Sequence, residues 1–180
     1  DQWRLFANYA EAFSMPDVGR VLRGINIPNQ SVETFLDLTP ILTENNEFGI
    51  DFDNETLNAQ LSYYTSESDF GQRLQRGSDG IYTVKRERTE IDGYEFRTTW
   101  LATDADQLGL RYATTDGRYD SNADGRVDAD LDGSNISPDR VNLSWDRTWT
   151  DAIHSRLQVN HALGRNFKNS AGVTTAEFDG

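Results

Sequence analysis

The sequence lacks cysteine altogether among its 180 residues. This absence excludes a disulfide framework and a thiolate metal site, and it leaves the redox compartment open. Long apolar runs are also missing, because no stretch approaches the roughly eighteen apolar residues that a membrane-spanning helix needs. If the chain crosses a membrane, a β-barrel is therefore the form left to it, since only helices and closed barrels satisfy their backbone hydrogen bonds in lipid.

Basic residues are scarce as well. The chain has 17 Lys and Arg against 30 Asp and Glu, which gives a formal net charge of -13 at pH 7. Because such a chain repels phosphate, we expect no nucleic-acid partner, and a cation or a cation-bearing ligand is the better expectation. The sequence also lacks a nucleophile elbow, a zinc-protease helix motif and a glycine-rich phosphate loop. We therefore predict that the protein is not an enzyme.

Aromatic residues are abundant for so polar a chain. Hydrophobic residues make up 36% of it and the mean hydropathy is -0.70, yet aromatic residues reach 11%. This aromatic content argues against disorder. It favours a sheet with one apolar and one wet face, where amphipathic rings lie at an interface.

The dominant pattern is an alternation of apolar and polar residues. Around Leu57, the residues Leu61 and Tyr63 share one phase while Gln60 and Tyr64 share the other. Such alternation is typical of half-buried β-strands. It predicts seven antiparallel strands and, from Thr174, the start of another; the seven are Trp3–Phe13, Glu47–Phe52, Thr56–Ser66, Ile91–Ala102, Leu108–Thr115, Arg140–Trp149 and Ile153–Arg165.

The predicted connectors alternate in length along the chain. The short ones are Asp53–Glu55, Thr103–Gln107 and Thr150–Ala152, and the long ones are Ser14–Thr43, Ser66–Arg86, Gly117–Ser137 and Arg165–Val173. Short and long connectors therefore fall at opposite ends of the strands. This arrangement predicts an all-β fold, namely a segment of an antiparallel up-and-down transmembrane β-barrel with short periplasmic turns and long extracellular loops. A soluble β-sandwich would mix loop lengths at both ends.

The alternation also predicts which side chains face lipid and which face the lumen. Charge belongs inside, since a lipid-facing Arg at mid-bilayer costs roughly 2 to 4 kcal/mol. The predicted lipid-facing residues are Leu61, Tyr63, Phe96, Trp100, Leu110, Leu143, Trp145, Leu157 and Val159, and the predicted lumen-facing residues are Gln60, Glu95, Arg97, Arg111, Asp146, Arg156 and Asn160. Arg147 and His161 fall on the apolar phase, where they lie close enough to an interface to snorkel.

Four segments together resemble one family. They are LFANYAEAFSMPDVGRVLRG (Leu5–Gly24), NNEFGIDFDNETLNAQLSYYTSESD (Asn45–Asp69), RTEIDGYEFRTTW (Arg88–Trp100) and AEFDG (Ala176–Gly180). Their order is similar to that of the barrel strands in TonB-dependent outer-membrane receptors. The Gly93, Tyr94, Glu95 triplet matches a combination that recurs in a later strand of that family.

The resemblance implies a transport function in the bacterial outer membrane. In that family, a barrel of about twenty-two strands encloses a plug, and the receptor imports a scarce nutrient, such as an iron–siderophore complex, with energy delivered by TonB. The expected partners are outer-membrane lipid, a small-molecule or metal-chelate ligand, and TonB and the plug through a full-length parent. Residues 1–180 are then expected to be part of one barrel domain, a fragment without plug or final strands. The lumen-facing residues would contact the plug.

An acidic segment, DSNADGRVDADLDG, resembles a calcium-binding loop. Oxygen ligands at Asp120, Asn122, Asp124 and Asp128, the Arg126 carbonyl and a turn at Gly125 match the pattern up to its ninth position. Its twelfth position is Leu131, so Asp130 or Asp132 would have to replace the expected Glu. The segment therefore has two interpretations: a Ca²⁺ site, or a solvated acidic loop whose Asp, Asn and Gly residues form turns.

Three classes of function follow from these features. They are an energised transport receptor, another outer-membrane barrel such as a porin or adhesin, and a soluble calcium-binding β module. A detergent requirement for folding would exclude the soluble module. A plug encoded in the parent gene would separate the receptor from the other barrels.

Overall fold

The structure is a computed structural model that describes residues 2–15, 19, 40–78, 80 and 82–177. It contains eleven β-strands within these residues. In chain order they are β1 Gln2–Ser14, β2 Ile41–Asp53, β3 Leu57–Arg76, β4 Tyr82–Leu101, β5 Asp106–Ala113, β6 Asp116–Tyr119, β7 Ala129–Asp130, β8 Arg140–Thr150, β9 Ile153–Ala162, β10 Arg165–Lys168 and β11 Thr174–Glu177. Within the described ranges, no helix is long and apolar enough to cross a membrane.

Nine of the strands form one sheet: seven of them follow the order β1-β2-β3-β4-β5-β8-β9, and β6 pairs with β4 and with β7 beside this path. Every neighbouring pair in this order is antiparallel, which confirms the predicted all-β meander. The sheet is open, because β1 and β9 each pair on one side only within the described part of the chain. Short turns join β2 to β3, β4 to β5 and β8 to β9 at one end of the sheet, as predicted.

At the other end, the strands extend further than the sequence predicts. The prediction of a long connector at Ser66–Arg86 is wrong, because β3 continues to Arg76 and β4 begins at Tyr82. Hydrophobic alternation is weak there because charged and polar residues outnumber apolar ones in both strands, whereas backbone pairing continues without it. A one-residue bulge in β3 between Ser68 and Gly71 shifts the register against β4.

Other boundaries also differ from the prediction. β2 begins at Ile41 rather than Glu47, and β9 ends at Ala162. The predicted connector Gly117–Ser137 contains most of β6 and all of β7. The predicted connector Arg165–Val173 contains β10, which pairs with β11 in a separate two-stranded sheet. Most of the predicted connector Ser14–Thr43 lies outside the described residues.

Apolar side chains on the large sheet are mostly exposed. Leu5 is 78% exposed and Trp3 is 68% exposed. A small buried core exists only beside the connector between β5 and β8, among the residues that the structure describes; it contains Tyr119, Ala129 and Leu131, with Ile91 and Ile136 packed against it. The sheet itself therefore has no interior of its own, and its packing partners must come from its surroundings.

Candidate functional site

The register of the sheet brings the predicted polar residues onto one face. Directly opposed residues in antiparallel strands point to the same side. Gln60 lies opposite Arg97, and Arg97 lies opposite Arg111. The row continues through Asn142 to Asn160. Two-residue alternation along each strand adds the remaining members, so that the polar face carries Gln60, Glu95, Arg97, Arg111, Asp146, Arg156 and Asn160.

The predicted apolar residues share the opposite face. Leu110 lies opposite Leu143, which lies opposite Val159. Tyr63 lies opposite Tyr94, with ring centroids 4.9 Å apart. The same register places all nine residues on this apolar face: Leu61, Tyr63, Phe96, Trp100, Leu110, Leu143, Trp145, Leu157 and Val159. In the middle part of β3, β4, β5, β8 and β9, the sheet therefore separates charged from apolar side chains.

The polar face contains both paired and unpaired charges. Arg4 binds Asp51 and Arg156 binds Asp146, each at 2.6 Å between nitrogen and oxygen. A recess of about 530 Å³ opens between these pairs, and Glu47, Glu95, Arg97, Arg111 and Asn142 are among its lining residues. Glu47 was missed from the sequence because its strand alternates weakly. In the structure, Glu47 pairs with Tyr64, which lies on the polar phase of β3, so Glu47 also lies on the polar face.

One charged cluster interrupts the apolar face beside the short turns. Arg147 donates to the Asp106 carboxylate at 3.0 Å, and its guanidinium lies 4.4 Å from the Trp149 ring centroid. Trp145 Nε1 also donates to Asp106, at 2.9 Å. The sequence places Arg147 on the apolar phase of its strand and Asp106 in a turn. It therefore does not predict that the two residues pair. The other interruption, His161, lies opposite Val141.

The acidic loop wraps its backbone around Asp120. This carboxylate accepts N–H groups from Asn122, Asp124 and Gly125, and the side chain is only 5% exposed. Burial raises the pKa of Asp120, but the backbone N–H donors outweigh it and leave the pKa below its usual range. Ala123 and Gly125 have positive φ values of 61° and 86°, as this tight winding requires.

The predicted calcium ligands separate into two groups. Asn122 donates to Asp124 at 3.3 Å and to Asp128 at 3.5 Å, and Arg126 donates its backbone N–H to Asp124. In contrast, Asp130 accepts the N–H of Lys168, and Asp132 accepts Ser134 N–H and Asn135 Nδ2. Across the described residues, no three His, Cys, Asp or Glu side chains are arranged to hold a metal ion.

The connector that carries the acidic loop is docked on the β3–β4 hairpin. Arg73 binds Glu87 at 2.7 Å and lies 3.9 Å above the Tyr119 ring. Asn135 accepts the N–H of Leu74 at 2.7 Å and donates to the Leu74 carbonyl at 3.1 Å. These contacts hold the connector against the β3–β4 hairpin.

An antiparallel meander with a charged face, an exposed apolar face and short turns at one end has the features of an outer-membrane β-barrel wall. A family model described as "TonB dependent receptor-like, beta-barrel" matches residues 1–179. The chain belongs to this family, which confirms the resemblance seen in the sequence and places the protein in the bacterial outer membrane.

Two solved structures have a similar fold. The copper transporter OprC superposes with a TM-score of 0.72 at 18% identity, covering 91% of this chain and 24% of that one. The FrpB iron transporter from Neisseria meningitidis (F3-3 variant) gives a TM-score of 0.62 at 13% identity, covering 96% of this chain and 27% of that one. The chain therefore spans about a quarter of the length of each structure.

Proposed function

We propose that this chain is part of the barrel wall of an active-transport receptor that imports a scarce nutrient across the outer membrane, with energy delivered by TonB. The observation that carries the proposal is the polar face, where a lateral row of long polar side chains crosses the sheet at mid-strand. Polar and charged side chains at this depth can hydrogen-bond a plug that fills the lumen of a wide receptor barrel.

We propose an iron chelate, such as a siderophore complex, as the transported ligand. Family membership supports import of a scarce nutrient, and the two similar structures are a copper transporter and an iron transporter. The net charge of -13 favours a cation or a cation-bearing ligand over an anion. A copper salt is the comparison ligand, because OprC is a copper transporter.

Uptake by cells tests this function. The full-length receptor is expressed in a host without its own iron-chelate receptors, and accumulation of labelled iron–siderophore complexes and of copper is measured with and without TonB. We expect one of these ligands to accumulate only when TonB is present. Uptake that is independent of TonB and proportional to outside concentration would instead indicate a porin, and no uptake of any solute with retained cell adhesion would indicate an adhesin.

We further propose that the apolar face meets lipid and that the polar face meets the barrel interior. Leu110 and Arg111 are adjacent in β5 and point to opposite faces, so they form a matched pair of probe sites. Collision with oxygen, which concentrates in lipid, should accelerate the spin relaxation of a nitroxide at position 110. The spin relaxation of a nitroxide at position 111 should be accelerated mainly by a water-soluble nickel chelate. The reversed pattern would refute this assignment of the faces.

A calcium role for the acidic loop is a second proposal, restricted to Asp120, Asn122, Asp124 and Asp128. It requires these side chains to move closer together than the structure places them, because no three carboxylates among the described residues are arranged to hold a metal ion. These four belong to one hydrogen-bonded network, whereas Asp130 and Asp132 bind elsewhere. With so few ligands, we expect a dissociation constant on the order of 0.1 to 1 mM. Calorimetric titration of the full-length receptor tests it, with Asp128→Asn as the loss-of-site variant and Asp130→Asn as the control. Absence of heat at millimolar calcium would leave the turn-forming interpretation.

A further inference from the structure

The charged cluster on the apolar face contains an arginine whose hydrogen-bonding capacity is only partly used. Arg147 donates Nη1 to both oxygens of Asp106, at 3.0 and 3.1 Å. Among the described residues, its Nη2 and Nε atoms have no hydrogen-bond partner, and Nε is buried. The side chain is 35% exposed and lies on the same face as Leu143. Because a donor without a partner is costly in lipid, the guanidinium needs an acceptor from its surroundings.

The other polar groups of the cluster are already paired. Asp106 also accepts a hydrogen bond from Trp145 Nε1, at 2.9 Å. The second indole, Trp149, donates its Nε1 to Ser155 Oγ at 3.0 Å. Both indole N–H groups are therefore occupied, and the carboxylate has several donors. The free edge of the Arg147 guanidinium remains, and its planar geometry suits an anionic oxygen such as that of a phosphate.

An apolar groove begins directly beside this cluster. Outward side chains of β8 follow in rows two residues apart, so the row of Arg147 is succeeded by the row of Trp145 and then by the row of Leu143. The groove has a volume of about 440 Å³, and its lining includes Trp100, Leu110, Leu143, Trp145 and Leu157. The four residues from Arg147 to Leu143 span about 14 Å at roughly 3.4 Å per residue. This length fits within one leaflet, whose hydrocarbon layer is about 15 Å thick.

The charges near the cluster favour a zwitterionic headgroup. Arg147 and Asp106 neutralise each other, and the two short turns beside them carry the exposed residues Asp104 and Asp151. These carboxylates would repel a headgroup that has a phosphate and no amine. In a phosphoethanolamine headgroup, the phosphate can bind the guanidinium while the ammonium extends away from the acyl chains, towards the turns.

We propose that Arg147 and the apolar groove bind one phospholipid molecule with a phosphoethanolamine headgroup. The phosphate accepts hydrogen bonds from the free edge of the guanidinium, an acyl chain fills the groove, and the ammonium lies near Asp104 and Asp151. The inference rests on the proposed function, because it requires the apolar face to meet lipid. The occupant belongs to the periplasmic leaflet, because the short turns of outer-membrane barrels are periplasmic.

Native mass spectrometry of the full-length receptor tests the identity of the lipid. The receptor is mixed in detergent with equal amounts of phosphatidylethanolamine, phosphatidylglycerol and phosphatidylcholine that have the same acyl chains. We expect one molecule of phosphatidylethanolamine to remain bound in preference to the other two lipids. Equal retention of the three, a preference for either of the others, or no retained lipid would overturn the proposal.

Substitution of the arginine tests the location of the site. In Arg147→Gln, retention of phosphatidylethanolamine should fall at least about tenfold, because charge-assisted hydrogen bonds are lost. The matched control is Arg156→Gln, which also breaks an Arg–Asp pair but lies on the polar face, bound to Asp146 at 2.6 Å. If Arg147→Gln fails to fold, Arg147→Gln with Asp106→Asn removes both charges together and should give the same loss. Unchanged retention in a folded variant, or an equal loss in the control, would overturn the proposal.

The turn carboxylates test the amine of the headgroup. Asp104→Asn with Asp151→Asn should abolish the preference for phosphatidylethanolamine over phosphatidylglycerol, because the repulsion of the anionic lipid is removed. A phospholipid should still be retained, since the guanidinium is intact. A preference that persists unchanged in this variant would overturn the assignment of the headgroup.

Uptake by the same receptor separates this inference from the transport function. If uptake requires TonB but no phospholipid is retained at Arg147, the inference alone fails. If phosphatidylethanolamine is retained and lost in Arg147→Gln while uptake is independent of TonB, the transport function fails and the inference stands.

Discussion

The sheet leaves its apolar side chains exposed, whereas the connector between β5 and β8 buries them. On the apolar face of the sheet, Leu157 is 59% exposed and Leu143 is 48% exposed, whereas Ala129 and Leu131 in the connector are 1% and 4% exposed. The connector makes a core against Ile91 of β4. On the sheet, apolar side chains of the same kind have no such protein partners and stay exposed.

This difference shows that the two regions depend on different solvents. The connector core excludes water by protein packing, so its stability should not depend on a bilayer. Under the proposed assignment of the faces, the apolar face meets lipid, because an apolar surface of that extent would be unfavourable in water. Substitutions can therefore be chosen to affect one region and leave the other unchanged.

The largest effect should come from opening the connector core. Leu131→Ala removes a buried side chain that packs beside Tyr119, and such truncations cost about 2 to 5 kcal/mol. Because the loss is local, we expect faster proteolysis of the connector in the full-length receptor and no change in the unfolding of the barrel. Equal destabilisation of both would show that the connector and the sheet unfold as one unit.

A charge on the apolar face should have a slightly smaller effect, and it should destabilise the barrel rather than the connector. Leu143→Arg places a guanidinium between Leu110 and Val159, and it should destabilise the barrel by about 2 to 4 kcal/mol in lipid vesicles. The control, Ser144→Arg, lies on the polar face and should cost less than about 1 kcal/mol. Denaturant unfolding in vesicles measures both. Similar losses for the two variants would contradict the separation of faces.

Undocking the connector from the hairpin should have an intermediate effect. Asn135→Ala removes both hydrogen bonds to the Leu74 backbone, at a cost of about 1 to 3 kcal/mol for the buried groups left unpaired. Hydrogen exchange of the connector and of the upper β3–β4 hairpin should accelerate together. The control Ser134→Ala keeps these two bonds and should leave exchange there unchanged.

The smallest effect should appear only in acid. The backbone N–H donors lower the pKa of Asp120 in the folded loop, so its stabilising contribution is complete above the ordinary Asp pKa of about 4 and is lost as pH falls through the lowered value. Cleavage of the loop by an acid-stable protease should increase as the pH falls over that range. Asp120→Asn should flatten the dependence, and Asp151→Asn at a short turn should not.

The sequence predicts the membrane part of this fold better than the part outside it. Leu110, Leu143 and Val159 follow strict alternation because they share the apolar face of the sheet, whereas their neighbours along each strand share the polar face. Beyond Ser68 the connector covers one side of the hairpin through polar and charged side chains such as Arg73, so neither the pairing of β3 with β4 nor the bulge leaves a hydrophobic pattern. Arg97 and Arg111 show a similar limit: the sequence places both on one face, but their direct opposition follows only from the register.

The bulge in β3 has a consequence for how this wall can change over evolution. Below it, odd-numbered residues of β3 lie on the apolar face; above it, Arg73 lies on the polar side with Glu87 and Tyr119. One inserted residue thus separates the phase of the membrane strand from that of the outer hairpin. Surface-exposed segments can then be lengthened or exchanged under selection while Leu61 and Tyr63 keep their orientation. The outer hairpin can therefore change in sequence and length while the side chains of the barrel wall keep their orientation.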